Sequence, residues 1–300
     1  MATQTGIAGP HAAAHGAAEE HAHADAHQGA HEHGGGACLN CGAALVGPFC
    51  HECGQKERHA HEHSLRHFFG HTVLHEFTHL DQNKILRTTA ALLFRPGVLT
   101  AEYLSGRKGA QINPVRVYLT VSAVYFLFAW GALLNAGGFR DIERHPNLVA
   151  YAQRKGTTPA AVADKIMQKA EKYSSVLRFL GVLVSGLFLM GLYYRTGRFY
   201  VEHLIFSLHF YSFDFLLRCF YALGLTAGAR LLNVNPYQYL AVRAAFYVVI
   251  FVYLYFALLR VYRQTRGLTF VKTVALTALE VGLFFALVAG SFLVAFRTAL

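Results

Sequence analysis

Residues 202–221 read EHLIFSLHFYSFDFLLRCFY, a stretch apolar enough to enter a bilayer that nevertheless carries His203, Asp214 and Arg218. At about 100° per residue on a helix, His203, Ser207, Tyr211, Asp214, Arg218 and Tyr221 fall on one narrow polar stripe, with His209 on the opposite side. A charge at mid-bilayer depth costs roughly 2.5–3.5 kcal/mol on insertion scales. Asp214 and Arg218 are therefore expected to turn inward and pair at i, i+4. Such a stripe is either a functional path or the polar seam of a helix bundle, which makes His203, Asp214 and Arg218 the candidate intramembrane functional residues.

The composition around this stretch is that of a membrane protein. The 300 residues are 54% hydrophobic and 14% aromatic with only 15% charged, too apolar for an ordinary soluble domain. Windows able to cross about 30 Å of hydrocarbon run over 115–136, 176–194, 203–226, 239–262 and 271–296. The expected fold is an all-α polytopic membrane protein of about five transmembrane helices. Arg243 and Glu280, in the fourth and fifth windows, are candidate partners for the stripe. A formal charge of +10 suggests nucleic acid at first sight, but the Lys and Arg residues lie beside the apolar windows, where they set orientation. No nucleic-acid partner is expected. Basic residues ahead of the first window, such as Arg107 and Lys108, and in the turns near 195–202 and 263–272 place those segments and the N-terminus in the cytosol. The loop at 137–175 would then be extracytoplasmic, although it too is rich in Lys and Arg.

Ahead of the bundle the chain changes character. Residues 1–36 are mainly Ala, Gly and His, a composition that cannot build a core and has no apolar signal region, so a disordered tail is expected. Residues 37–56 then hold Cys38-Leu-Asn-Cys41-Gly42 and Cys50-His-Glu-Cys53-Gly54. Two C-x2-C knuckles supply four thiolates for a closed tetrahedral site, and the Gly after each lets the backbone turn tightly around the sulfurs. In a reducing cytosol this pattern calls for Zn2+ rather than two disulfides. Cys219 stands apart and reads as a buried apolar side chain.

Residues 63–110 are expected to form cytoplasmic amphipathic helices. One begins after Ser64, with Leu65, Phe69, Val73, Phe77 and Leu80 on one face and a run of His on the other. Within it, His75-Glu76-Phe77-Thr78-His79 matches HExxH, which in metalloproteases sets two His ligands and a general base on one helical face. His75 and His79 are thus candidate metal ligands, with Glu102 as a third. Most of the 18 His residues lie before residue 80, so compositional bias accounts for the match and a surface His face is the default. Asp81 caps a second helix ending before Arg95-Pro96, and Pro96 opens a third that stops at Gly106. Asn113-Pro114 starts the bundle at residue 114, and Thr158-Pro159 opens a helix reaching about Lys172 in the 137–175 loop.

Four blocks in this order, CLNCGAALVGPFCHECGQ, RTTAALLFRPG, EYLSGRKGAQINPVRVYL and YVEHLIFSLHFYSF, resemble the bacterial membrane proteins of domain of unknown function 3667. The resemblance implies an N-terminal zinc ribbon followed by membrane helices, without an established reaction. It carries a chemical role to Cys38, Cys41, Cys50 and Cys53 alone, as zinc ligands, and it places the chain in a bacterial inner (plasma) membrane. The functional expectation is a non-enzymatic protein whose ribbon binds a cytosolic protein partner and whose bundle, seated in lipid, anchors or regulates. Transport or metal handling along the stripe is the second expectation, and HExxH proteolysis the third.

Overall fold

A computed structural model describes residues 36–55, 82–109, 111–131, 143–232 and 240–299. The described residues are helical apart from the connecting turns and a small cysteine head, in which a β-bridge joins Ala37 to Ala44. The calls on residues 1–35, and on the His-rich helix with His75 and His79, lie outside the described residues.

Helix α1 spans Gln82–Phe94 and stops where Pro96 disfavours helical backbone at Arg95. Helix α2, Val98–Leu104, begins two residues later than Pro96, where the sequence had placed its start. The reason is Gly97, whose φ of 73° breaks the helical path. The turn is also held from outside. Arg260 Nη1 donates to Pro96 O at 2.7 Å, and a Cβ on Gly97 would lie 2.8 Å from Ala257 O. Leu99, Thr100 and Tyr103 are buried, so α2 packs into the bundle.

Asn113 caps α3, Pro114–Val124, as expected: its Oδ1 accepts from Val115 N at 3.0 Å, and Pro114 takes the first turn, where its missing N–H costs nothing. The helix continues as a π-helical turn, Tyr125–Ala129. The rest of the first expected span, beyond residue 131, is outside the described residues.

Helix α4, Pro146–Arg154, was not anticipated. Its Leu148 and Ala152 close a small second core with Val162, Ile166, Ala170 and Ala295. Thr158 caps α5 by accepting from Ala161 N at 3.2 Å, but this helix does not end near Lys172. It runs unbroken over Pro159–Leu192 and joins the amphipathic segment to the second apolar window. From Ala160 to Phe179 no Gly or Pro interrupts it, and Ala, Lys, Glu, Gln and Leu favour helix throughout.

Helices α6 (Tyr200–Leu232), α7 (Leu240–Tyr262) and α8 (Arg266–Ala299) contain the remaining three windows. By length and composition α5, α7 and residues 266–295 of α8 could each cross a membrane, while the apolar stretch Pro114–Ala129 is shorter. Helix α6 is long enough, but its His, Asp and Arg residues interrupt its apolar windows, and it is not among those candidates. It is instead the axis of the bundle: residues 203–215 are all buried, against α1, α2, α3, α5 and α7. A helix buried on every side needs no clean apolar face. Helices α5 and α8 form an extensive antiparallel pair, tied at one end by Lys272 Nζ donating to Leu192 O at 2.8 Å and closed at the other by Ile166 and Ala295.

Candidate metal centre and buried charge cluster

The two knuckles fold alike. In each, the carbonyl of the first Cys accepts from the Gly four residues on, Gly42 N to Cys38 O and Gly54 N to Cys50 O, both at 2.8 Å. Both glycines adopt left-handed backbone, φ 79° and 69°, which a side chain would oppose. The turns bring Cys38, Cys41, Cys50 and Cys53 together with all four Sγ atoms within 4.8 Å of one another. Cys38 and Cys53 are 3.6 Å apart, and Cys41 and Cys50 3.5 Å. Sulfurs at tetrahedral corners around a metal bonded at about 2.3 Å stand roughly 3.8 Å apart, so this donor set fits such an ion. All four thiols are free.

Their protonation is uneven. The Gln55 backbone N–H, helped by the Asn40 side chain, brings the Cys53 thiol down to about 6. The Ala43 N–H also pulls on Cys41, but the adjoining Cys50 thiol and burial outweigh it and hold Cys41 at about 12. Crowded thiols cannot all ionise beside each other without a cation to offset the charge. A bound metal ion would supply it.

Gln55, directly after the second knuckle, fastens this head to the bundle. Its Nε2 donates to Gly106 O at 2.7 Å, and its Oε1 accepts from Lys108 N and Gly109 N, both at 3.0 Å. Asn40 of the first knuckle lies so close to Gly109 that a Cβ there would sit 2.8 Å from Asn40 Nδ2. The head is thus read by the Gly106-Arg-Lys-Gly109 turn at both knuckles.

Asp214 and Arg218 form the predicted i, i+4 pair, with Arg218 Nε 2.7 Å from Asp214 Oδ2. The rest of the stripe divides among different partners. His203 Nδ1 is 2.7 Å from the Tyr262 hydroxyl of α7. Tyr211 donates to Glu280 Oε2 at 2.7 Å, and Ser185 of α5 donates to the other carboxylate oxygen. Glu280 therefore joins the stripe as expected, whereas Arg243 is exposed. On the opposite side His209 Nδ1 meets Thr100 Oγ1 of α2 at 3.0 Å.

Sequence reasoning passed over Arg178. This α5 side chain is 4% exposed, with its guanidinium carbon 4.8 Å from the ring centres of Trp130 and Phe284 and 5.5 Å from that of Tyr125. Each cation–π contact offers about 0.5–2 kcal/mol, but ring faces give the N–H groups little to bond. Arg178 Nη2 has no hydrogen-bond partner among the described residues. With Tyr211, Asp214, Arg218, Thr277 and Glu280, Arg178 lines a cavity of about 40 Å³. Glu102, the proposed third ligand for the HExxH pair, accepts a hydrogen bond from Gln111.

The molecule is thus a helical protein of membrane-spanning type that carries a four-cysteine site able to hold a metal ion. Its likeness to the family described as protein of unknown function (DUF3667) is shown over residues 82–126, which that family's profile matches. This segment comprises α1, α2, the turn that Gln55 grips, α3 and the first residues of the π-helical turn. No curated protein and no solved structure matches the chain.

Proposed function

We propose that this is a membrane-anchored scaffold or regulator whose four cysteines hold Zn2+ and whose zinc head presents a docking surface to a cytosolic protein. The observation that carries this reading is the head's combination of a rigid hold and apolar exposure. Leu39, Val46 and Phe49 are 51%, 87% and 59% exposed, while Gln55 pins the same small unit to the bundle. A structural zinc site contributes roughly 10–16 kcal/mol of binding energy in small domains, ample to order a head with almost no core. In this reading five helices cross a bacterial inner membrane with the N-terminus in the cytosol, α3 and α6 completing the set with α5, α7 and α8.

The test places a photocrosslinker at Val46 in cells. Crosslinks to one cytosolic protein, lost in Cys50→Ser, are expected; crosslinks to lipid or to the chain itself alone would overturn the docking surface. Reporters fused after Leu300 and before Cys38 should report opposite sides of the membrane. A second reading, ion handling within the bundle, is favoured by the cavity beside the stripe, which Arg178, Asp214, Arg218 and Glu280 border.

A further inference from the structure

Helix α1 turns an apolar face outward. Leu86, Ala90 and Phe94, each one helical turn from the next, are exposed along it, Leu86 at 69% and Phe94 at 80%, while Thr88 and Leu92 on the other side are buried. Lys84, Arg87 and, just past the helix, Arg95 are exposed beside this strip. From residue 82 to residue 101 the chain has no Asp or Glu. The face is thus apolar along one line and purely basic at its margins.

Three contacts set its level in the bundle. Thr88 Oγ1 accepts from Ile112 N at 3.3 Å, which holds the middle of α1 beside the start of α3 at Pro114. After Phe94, the turn at Gly97 lies against Ala257 of α7, which stands about 7 Å short of the end of that helix at Tyr262. Helix α7 is long and apolar enough to cross a membrane, and Phe256, next to Ala257, is 51% exposed, so the surface that would face lipid reaches the level of this turn. Thr100 then meets His209 of α6 at 3.0 Å, about 13 Å along that helix from Tyr200. The hairpin of α1 and α2 is therefore set among the helix ends and not beyond them.

At that level an outward apolar face meets the edge of the hydrocarbon. There an amphipathic helix seats Leu and Phe among acyl chains and lets the stems of Lys and Arg reach the headgroups. Basic residues without acids select anionic headgroups, each Lys or Arg close to such a surface being worth a factor of about five. We propose that the outer face of α1 binds anionic phospholipid, with Leu86, Ala90 and Phe94 at the acyl boundary and Lys84, Arg87 and Arg95 on the headgroup phosphates. This rests on α7 crossing the membrane and is independent of what the cysteine head docks.

The test replaces Phe94 by a fluorescent amino acid in the full chain, reconstituted in lipid nanodiscs. An equal small share of lipid carries a spin label on its upper acyl chain, on phosphatidylglycerol in one preparation and on phosphatidylcholine in the other. Quenching by the labelled phosphatidylglycerol is expected to exceed that by the labelled phosphatidylcholine roughly threefold or more, and to fall to parity in Lys84→Gln/Arg87→Gln/Arg95→Gln. The charge-preserving Lys84→Arg/Arg87→Lys/Arg95→Lys should keep the preference, which separates loss of the surface from loss of the fold. Equal quenching by the two lipids in the otherwise unaltered chain would overturn the proposal. So would a preference that survives in the Gln variant, since the basic turns near 195–202 and 263–272 would then be its source. Quenching by neither lipid would overturn it as well, whether the probe is open to a water-soluble quencher or covered by residues 65–80.

Discussion

Gln55 and Gly106 are joined across fifty-one residues of sequence by a 2.7 Å hydrogen bond from the Gln55 amide to the Gly106 carbonyl, and the same amide receives Lys108 N and Gly109 N through its oxygen. One side chain thereby satisfies three backbone groups of a turn whose Gly106 sits at φ 85°. Gln55→Ala should cost about 1–3 kcal/mol, since each such bond contributes on the order of 0.5–1.5 kcal/mol and the backbone groups regain water. Hydrogen exchange at Lys108 and Gly109 should speed up while exchange in α6 stays unchanged. Protection retained at both amides would show that the head docks by other contacts.

The metal site is tested by stoichiometry. The full chain should release one strongly held zinc more than Cys38→Ser or Cys50→Ser, and His75→Ala/His79→Ala should leave that zinc in place. Removal by chelator should expose the head to proteolysis at residues 39–49 without unfolding the bundle. A strongly bound zinc lost from the His variant instead would assign a site to the HEFTH segment.

For the buried pair, Asp214→Leu or Arg218→Met alone strands a charge and should destabilise the bundle by roughly 3–5 kcal/mol. The double replacement should recover much of this, because Arg218 also packs on Phe246 and Phe284, its guanidinium 5.2 and 4.8 Å from their centres, and Met can occupy that space. The readout is a double-mutant cycle by thermal stability in detergent. A double variant no more stable than the worse single one would show that the two side chains are not each other's main partners.

Gly97→Ala should be costly for two separate reasons. Left-handed backbone opposes a side chain by about 1–2 kcal/mol, and the new Cβ would meet the Ala257 carbonyl oxygen at 2.8 Å, a backbone atom that cannot swing away. Thermal stability should fall and the Arg260 contact to Pro96 loosen. A wild-type melting temperature would mean that α2 is not seated on α7 as described.

Some of this was legible before any coordinates. The four Cys and the Asp214–Arg218 pair were, because their chemistry is local: spacing of two and of four residues already decides which side chains meet. Asn113 and Thr158 were found as caps for the same reason. Glu280 was named as a partner for the stripe, but not that Tyr211 would be the residue to meet it, and the Tyr262 partner of His203 was missed, because a helical wheel gives the face of a residue and not the neighbour that covers it. Arg178 escaped because it opens an apolar window after a charged run and reads as flanking positive charge. Ser185, seven residues on and so on the same face of α5, was the available sign that this face turns inward. Gln55 escaped because its partner turn lies far off in sequence and binds it through backbone.

The two longest helices have a mechanical consequence. Each of α5 and α8 has 34 residues and is about 51 Å long, while a bilayer takes up only about twenty residues, so several turns of the pair extend past the hydrocarbon wherever it is centred. At one end of the pair Leu148, Ala152, Ile166 and Ala295 close their own small core, which makes that end a handle on the bundle. No proline interrupts α5 after Pro159 or α8 anywhere, so neither helix carries a proline kink between that small core and the level of Arg178 and Glu280.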